Sequence, residues 1–324
     1  MTDSIVAGRP TAATHAPSRL RSYARLGKLD VYDYYLGIFL ALAAALFPLD
    51  TFTARKALVL ALFLVGEIAV LMAMVALDDV TGFRDGSDLA NYGPDNPLRS
   101  KARKPLVAGA LTVPQALRFA WTCAVAGALL WTAASALAPH RPLWALVAAG
   151  ALFVVSLQYS YGLKISYHGF QEAFLVALGA VLVIVPYGLL TGEFAGFLMA
   201  QAVLFGFGPL MFGVYSNTND VEGDRAVGRP TVAALVSERG NAVFIGVLSA
   251  AEFLIGALAS ATGTAPWWFV LLMLPATALR TRQYLTGFVR GDIMTARRTG
   301  FTVHRLGVVL MTAANILVGW GATR

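Results

Sequence analysis

Long apolar runs separated by shorter polar segments recur along the whole chain. Most of the runs approach the length of about 20 residues with which a helix crosses the hydrocarbon core of a membrane. The pattern predicts an all-α polytopic membrane protein with nine transmembrane helices. The predicted spans are 33–50, 57–77, 115–137, 142–160, 171–190, 195–215, 241–261, 265–279 and 301–320.

Composition agrees with this interpretation. The chain of 324 residues is 57% hydrophobic and only 13% charged, whereas soluble domains average about 25% charged residues. The single cysteine, Cys123, lies in an apolar run, which excludes a disulfide framework or a cysteine-rich metal site. The four histidines are scattered without a common spacing, so we expect no histidine-bound transition metal.

The first 30 residues differ from the rest because they are polar and contain no apolar core of the signal-peptide type. We predict that 1–30 form a mostly disordered tail that ends in a short interfacial helix. Residues 31–324 are predicted to form a single transmembrane domain.

The net charge of +7 is better explained by membrane topology and phosphate chemistry than by nucleic-acid binding. If the N-terminus lies in the cytoplasm, cytoplasmic segments carry all but four of the 25 Lys and Arg residues. The exceptions are Arg55, Lys56, Arg141 and Arg324. This bias predicts an integral protein of the cell membrane whose longest loops, at 78–113, 216–240 and 280–300, are cytoplasmic.

The first of two acidic segments, residues 78–88, follows the second predicted helix. It contains Asp78, Asp79, Asp85 and Asp88. On a regular helix three of them, Asp78, Asp85 and Asp88, would lie within about 80° of one another, with Asp79 about 100° from Asp78. Carboxylates at this density repel one another unless cations neutralise them. The alternative is a hydrophilic loop without a function.

The second acidic segment, residues 217–224, follows the sixth predicted helix. If that helix continues, Asn217, Asp220 and Asp224 lie within a sector of about 60°, while Glu222 points to the other side. Oxygen ligands of this kind suit Mg²⁺, which takes one or two carboxylates and leaves room for substrate phosphates. A solvated loop is again the alternative.

Basic residues follow both acidic segments. Arg103 and Lys104 come after the first, and Arg225 and Arg229 come after the second. Cations beside carboxylates indicate a bound polyanion, some of whose oxygens a metal bridges while Arg or Lys hold others. The two segments together predict one site that binds a diphosphate through Mg²⁺.

At these residues the chain resembles the UbiA superfamily of membrane prenyltransferases. The stretch from Asn217 to Arg225 resembles that family's second aspartate-rich motif, with Asp220 and Asp224 at the metal-binding positions. The stretches Arg103 to Gly109 and Gln158 to Lys164 are similar to segments that follow the first motif and the fourth helix. The resemblance covers residues 30–320 and implies a bundle of nine helices.

The first motif departs from the family pattern, which is usually Asn-Asp-x-x-Asp-x-x-x-Asp. Here Asp78 and Asp79 are separated from Asp85 by five residues, and Asp88 follows. This departure favours chemistry that is unusual within the superfamily.

The resemblance implies particular roles for the candidate residues. The metal ligands would be Asp78, Asp79, Asp85, Asp88, Asp220 and Asp224. The groups that assist the diphosphate would be Arg103, Lys104, Lys164, Arg225 and Asn217. Aromatic faces can stabilise an allylic cation, and the candidates are Tyr159 first, then Tyr161, Tyr187 and Tyr215.

The leading hypothesis is Mg²⁺-dependent transfer of an isoprenoid from a prenyl diphosphate to an aromatic or otherwise lipophilic acceptor. The first alternative is a terpene cyclase of the same superfamily, in which the double bonds of the substrate capture the cation. The second is a transporter of divalent cations or anions, although the acids crowd one membrane interface and no inverted repeat is evident.

Glu67, in the middle of the second predicted span, lies on nearly the same helical face as Asp78. We expect it either to contact an acceptor in the bundle interior or to pair with a structural polar group.

Overall fold

The computed structural model describes residues 18–92 and 101–322. These residues form helices and connecting loops without any β-strand, which confirms the all-α class. The predicted tail residues 1–17, together with Arg99 and Ser100 of the basic stretch, lie outside the described ranges. The α-helices are α1 Arg19–Leu26, α2 Gly37–Ala45, α3 Ala54–Asp85, α4 Ser87–Asn91, α5 Val113–Leu137, α6 Leu143–Gln158, α7 Gln171–Thr191, α8 Gly196–Asn219, α9 Val221–Ala226, α10 Val232–Leu235, α11 Glu238–Ala261, α12 Phe269–Tyr284 and α13 Ile293–Ala322.

Each predicted span overlaps a helix, but the number of nine membrane spans is not confirmed. Among the described residues, six helices are long and apolar enough to cross a membrane: α3, α5, α7, α8, α11 and α13. The apolar stretches Tyr32–Ala45 and Leu143–Gln158 are shorter. Pro48 follows the first stretch, and Pro142 is the N-cap of the second.

The acidic segments lie where long helices end. Helix α3 has 32 residues, about 48 Å at 1.5 Å per residue, and therefore exceeds a hydrocarbon core of about 30 Å. Its last two turns carry Asp78, Asp79 and Asp85, and it stops at Gly86, which adopts the left-handed conformation with φ 88°. The first acidic segment is thus a helix end followed by the separate short helix α4.

Close contact between α7 and α8 fixes the other half of the bundle. A Cβ atom at Gly206 would lie 2.9 Å from Val176 Cα, and one at Gly179 would lie 2.6 Å from Gly206 Cα. The two backbones approach to a distance that only glycine permits. This contact positions α8 against α7, and the second acidic segment lies at the C-terminal end of α8.

The N-terminal residues that the structure describes pack onto the bundle. Helix α1 starts at the N-cap Ser18, whose hydroxyl accepts a hydrogen bond from Arg21 N. Leu26 at its end is fully buried beside Leu77 and Val80 of α3. The division into a tail of 1–30 and a domain of 31–324 stays a prediction.

Candidate active site between two acidic segments

A cavity of about 480 Å³ lies where α3, α4, α8 and α9 come together. Acidic and amide side chains of both acidic segments and of α4 line it: Asp78, Asp88, Asn91, Asn217, Asp220 and Asp224. Basic side chains from four parts of the chain also line it: Arg25, Lys28, Arg103, Lys104, Arg229 and Arg297. The structure therefore brings the two predicted acidic segments to one site.

Two glycines make this convergence possible by removing side chains where α4 packs. A Cβ atom at Gly82 of α3 would lie 2.8 Å from Asp88 Cγ, and one at Gly223 of α9 would overlap the Asn91 carboxamide. Helix α4 can therefore place Asp88 against α3 and Asn91 against α9.

Within the first segment, a buried ion cluster holds Asp79 and Asp88. Lys104 Nζ lies 2.7 Å from Asp79 Oδ1 and 2.9 Å from Asp88 Oδ2. Asp79 is only 1% exposed, and Lys104 is 7% exposed. Burial alone would lower the pKa of Lys104, but the carboxylates of Asp79 and Asp88 raise that pKa well above its ordinary value. Lys104 is thus a charged, buried component of the site.

The second segment differs from the predicted continuous helix. Helix α8 ends at Asn219, Asp220 is its C-cap with φ −106°, and the short helix α9 then carries Asp224. Asn217, Asp220 and Asp224 nonetheless line the same cavity. Asp224 is 3% exposed and accepts a hydrogen bond from Thr231 Oγ1 at 3.1 Å. Burial raises the pKa of Asp224 to about 6.

Arg229 connects the two halves of the site. Its Nη2 atom donates to Asp78 Oδ1 at 3.0 Å and to Ser160 Oγ at 3.1 Å. Burial would lower the pKa of Arg229, but Asp78 leads the neighbours that raise it above its ordinary value. Arg229 follows Asp224 in the same acidic-then-basic order that the first segment shows, and this order is the signal that predicts a role for it in the site.

Residues of the predicted tail contribute to the site. Lys28, which has a φ of 48°, lies 3.8 Å from Asp78 Oδ2 and 3.5 Å from Asp79 Oδ1. Arg103 Nη2 donates to Asp30 Oδ2 at 3.1 Å at the edge of the cavity. Basic charge next to the first aspartates thus comes from the sequence ahead of the first apolar run, which the sequence analysis did not include in the site.

Five predicted site residues do not line the cavity. Asp79 is buried against Lys104. Asp85 accepts hydrogen bonds from the Tyr167 hydroxyl and from Ser87. Lys164 lies over the Tyr167 ring at 5.1 Å. Arg225 is exposed and donates to Ala234 O. Tyr159 stacks on the ring of Phe174, with 4.7 Å between the ring centroids.

The aromatic side chains at the cavity are not the predicted tyrosines. Tyr34, Tyr92, Phe212 and Phe301 line it, whereas Tyr161, Tyr187 and Tyr215 do not. The rings of Phe212 and Phe301 stack with their centroids 4.4 Å apart, and Tyr34 packs its edge against Phe212. Phe212 lies about two helical turns before Asp220, so the sequence spacing alone could have predicted that it lies near the second acidic segment.

The donor set fits a hard divalent cation. It consists of carboxylate and amide oxygens, which suit Mg²⁺, rather than of sulfur or imidazole. Asp79 Oδ2 is buried without a hydrogen-bond partner among the described residues. Among the residues that the structure describes, no three His, Cys, Asp or Glu side chains form a group that could hold a metal ion by themselves.

Comparison with known proteins assigns the class. The chain matches the model of the UbiA prenyltransferase family over residues 34–292. It belongs to that family, which confirms the resemblance found in the sequence. Its apolar helices and its family make it an integral membrane protein.

Solved structures share the fold at low identity. A UbiA homologue from Archaeoglobus fulgidus bound to DMAPP and Mg²⁺ is 13% identical, with a TM-score of 0.61 over 90% of this chain and 99% of that one. The apo UbiA homologue from Aeropyrum pernix K1 is 18% identical, with a TM-score of 0.59 over 89% and 97%. A structure of digeranylgeranylglyceryl phosphate synthase is 14% identical, with a TM-score of 0.60 over 92% and 99%. A comparison with curated proteins gave no match.

Proposed function

We propose that the protein transfers an isoprenoid from a prenyl diphosphate to a lipophilic, aromatic acceptor in a Mg²⁺-dependent reaction. One observation carries this proposal: both acidic segments and six basic side chains line one cavity in a bundle of apolar helices. The relatives from Archaeoglobus fulgidus, solved with DMAPP or GPP and Mg²⁺, support the same substrate class. A transporter is disfavoured because the family and the clustered site both indicate chemistry on a diphosphate.

The oxygen-bearing side chains at the cavity would hold the metal. We assign this role to Asp78, Asp88, Asn217, Asp220 and Asp224, which line the cavity, whereas Asp79 does not line it. Mg²⁺ bound there would neutralise charge on the departing diphosphate. Asp85 is not assigned to the metal because Tyr167 and Ser87 engage its carboxylate.

The basic side chains would bind and orient the diphosphate. Lys28, Arg103 and Arg229 line the cavity from different directions, and charged donors of this kind form short, strong hydrogen bonds with phosphate oxygens. As the allylic C–O bond breaks, its electron pair leaves with the diphosphate. Groups placed in advance around that developing charge lower the barrier.

The allylic carbon must then meet its acceptor before water does. Phe212 is almost fully buried, and together with Tyr34 and Phe301 it forms an apolar wall beside the charged part of the cavity. A new bond forms between the allylic carbon and the acceptor, and an aromatic acceptor loses one proton to restore its ring. The isoprenoid tail would extend among the apolar helices.

A terpene cyclase is the second candidate. The unusual first motif favours it, since Asp85 accepts a hydrogen bond from Tyr167 and does not line the cavity, which sets this site apart from the usual family pattern. The ionisation step would be the same, but the carbocation would be captured by a double bond of the same substrate.

Product analysis distinguishes the two candidates. Purified protein in detergent would be incubated with geranyl, farnesyl and geranylgeranyl diphosphates and Mg²⁺, with and without aromatic acceptors. A prenylated acceptor supports the transferase. A cyclic hydrocarbon or cyclic alcohol formed without acceptor supports the cyclase. Intact diphosphate under every condition contradicts both.

We also propose that the N-terminus and the active-site loops face the cytoplasm, on the basis of the excess of Lys and Arg in those segments. Cysteines would be introduced as Leu20→Cys and Arg141→Cys in a Cys123→Ala background. A membrane-impermeant maleimide applied to intact cells should label the second site alone. Labelling of the first site alone would reverse the orientation.

A further inference from the structure

Arg229 is held in the site by groups that belong to both halves of the protein. Its Nη2 atom contacts Asp78 Oδ1 at 3.0 Å, Ser160 Oγ at 3.1 Å and Ser166 Oγ at 3.4 Å. Its Nε–H is buried and has no hydrogen-bond partner among the residues that the structure describes. An unpaired buried donor is costly, so the guanidinium gains free energy when a further anion binds to it.

An aromatic support lies against the guanidinium. Arg229 Cζ lies 5.0 Å from the centroid of the Tyr167 ring, a cation–π distance. The Tyr167 hydroxyl in turn donates to Asp85 Oδ2. Asp85 Oδ1 accepts from Ser87 N at 3.0 Å and from Ser87 Oγ at 2.8 Å. Both oxygens of Asp85 are therefore engaged in fixing Tyr167 and the start of α4.

The pairing of Arg229 with Asp78 has a consequence for metal binding. A divalent cation that binds Asp78 must compete with a guanidinium already 3.0 Å from the carboxylate. A diphosphate offers Arg229 several anionic oxygens and so provides a stronger partner for it. When the guanidinium turns to the phosphate, the Asp78 carboxylate becomes available to the cation.

We infer that Arg229 is a positioning residue that prevents divalent cations from binding the Asp78 carboxylate until a diphosphate binds. Asp85 and Tyr167 hold Arg229 in the position that this role requires. The inference rests on the proposed function for the identity of the anion. It gives Asp85 a role that replaces direct metal ligation. Reciprocity of linked equilibria requires that cation and diphosphate then bind with positive coupling.

Binding of Mn²⁺ to the free protein tests this without any turnover. Purified full-length protein in detergent would be titrated with Mn²⁺ in the absence of diphosphate, and free Mn²⁺ would be followed by electron paramagnetic resonance. Arg229→Gln should bind Mn²⁺ roughly 10-fold more tightly than wild type, within the usual range of coupling between sites. Arg229→Lys keeps the charge and should remain nearer to wild type.

Two further variants locate the effect. In Arg229→Gln combined with Asp78→Asn, the gain in Mn²⁺ affinity should disappear. Tyr167→Phe keeps the ring but loses the hydrogen bond to Asp85, so it should give a smaller gain than Arg229→Gln. The matched control is Arg84→Gln, which removes one exposed positive charge of α3 that does not line the cavity. It should leave the affinity unchanged.

The inference is overturned if Arg229→Gln binds Mn²⁺ no more tightly than wild type, or if Asp78→Asn fails to cancel the gain. An equal gain in Arg84→Gln would also overturn it, since the effect would then be one of overall charge. If Tyr167→Phe bound Mn²⁺ with the wild-type affinity, the hydrogen bond between Tyr167 and Asp85 would have no part in holding Arg229 in place. Calorimetric titration of the wild type with inorganic diphosphate separates the proposed function from the role of Arg229. If diphosphate does not bind, the proposed function is contradicted. If diphosphate binds but Arg229→Gln shows unchanged affinity for Mn²⁺, only the role of Arg229 is contradicted.

Discussion

Lys104 Nζ lies 2.7 Å from Asp79 Oδ1, so a cation from the loop after the first acidic segment is buried against that segment's second aspartate. Lys104→Met should lower the free energy of unfolding by about 3–5 kcal/mol, because it removes the nearer and more deeply buried of the two cations that pair with the buried Asp79 carboxylate. Thermal unfolding in detergent measures this.

The control for this variant is Lys101→Met. Lys101 lies three residues earlier and is exposed, so its replacement should change stability little. Combining Lys104→Met with Asp79→Asn should recover part of the loss. Equal unfolding temperatures for the Lys104 and Lys101 variants would show that the buried ion cluster does not stabilise the fold.

Close packing between α7 and α8 gives a second prediction. Gly206→Ala would place a Cβ 2.9 Å from Val176 Cα, and overpacking of this kind costs about 1–3 kcal/mol. Gly150→Ala on α6 meets nothing within 4 Å, and it should be neutral or stabilising by up to about 1 kcal/mol, since alanine is the better helix former. Similar unfolding temperatures for both variants would contradict the close approach.

The sequence predicted which segments are helical and where the acidic segments lie, because apolar periodicity and chain length determine both. The sequence predicted the positions of the helix ends less well. The span 57–77 was expected to stop before Asp78, whereas α3 continues to Asp85. Polar residues can extend a membrane helix into the interface, and apolarity alone does not mark that extension.

Side-chain partners were the part of the site that periodicity could not supply. On a regular helix Asp85 shares a face with Asp78, and α3 extends as far as Asp85 before it ends at Gly86. The partner of Asp85 is nevertheless Tyr167, which lies 82 residues away in the sequence. Arg229 meets Asp78 across 151 residues. Pairings of this kind depend on how distant helices pack, which one sequence does not encode in its local pattern.

Glu67 provides a third prediction. It is 0% exposed on α3, and neither carboxylate oxygen has a hydrogen-bond partner among the described residues. The predicted structural pairing is therefore not seen. Glu67→Met should raise the free energy of unfolding by about 1–3 kcal/mol, because it removes an unsatisfied buried polar group while keeping a similar shape.

Unfolding of the Glu67→Met variant in detergent is the relevant measurement, and Glu67→Gln is the control that keeps a polar group at the same place. The Gln variant should not gain stability to the same extent. A Met variant less stable than wild type would mean that the carboxyl group has a stabilising partner in the protein.

We expect the two acidic segments to act as one site that ionises prenyl diphosphates. The most direct test is the release of inorganic diphosphate from prenyl diphosphates by wild type, Asp78→Asn, Asp224→Asn and the control Glu222→Gln, with membrane lipids and aromatic acceptors present. Glu222 is exposed on α9 and does not line the site cavity. Wild type and Glu222→Gln should release diphosphate with Mg²⁺ and lose that activity when Mg²⁺ is chelated. The two aspartate variants should be slower by about 100- to 1,000-fold, the usual cost of losing one group that stabilises developing charge. Full activity in both aspartate variants would show that the two acidic segments do not form the site of ionisation.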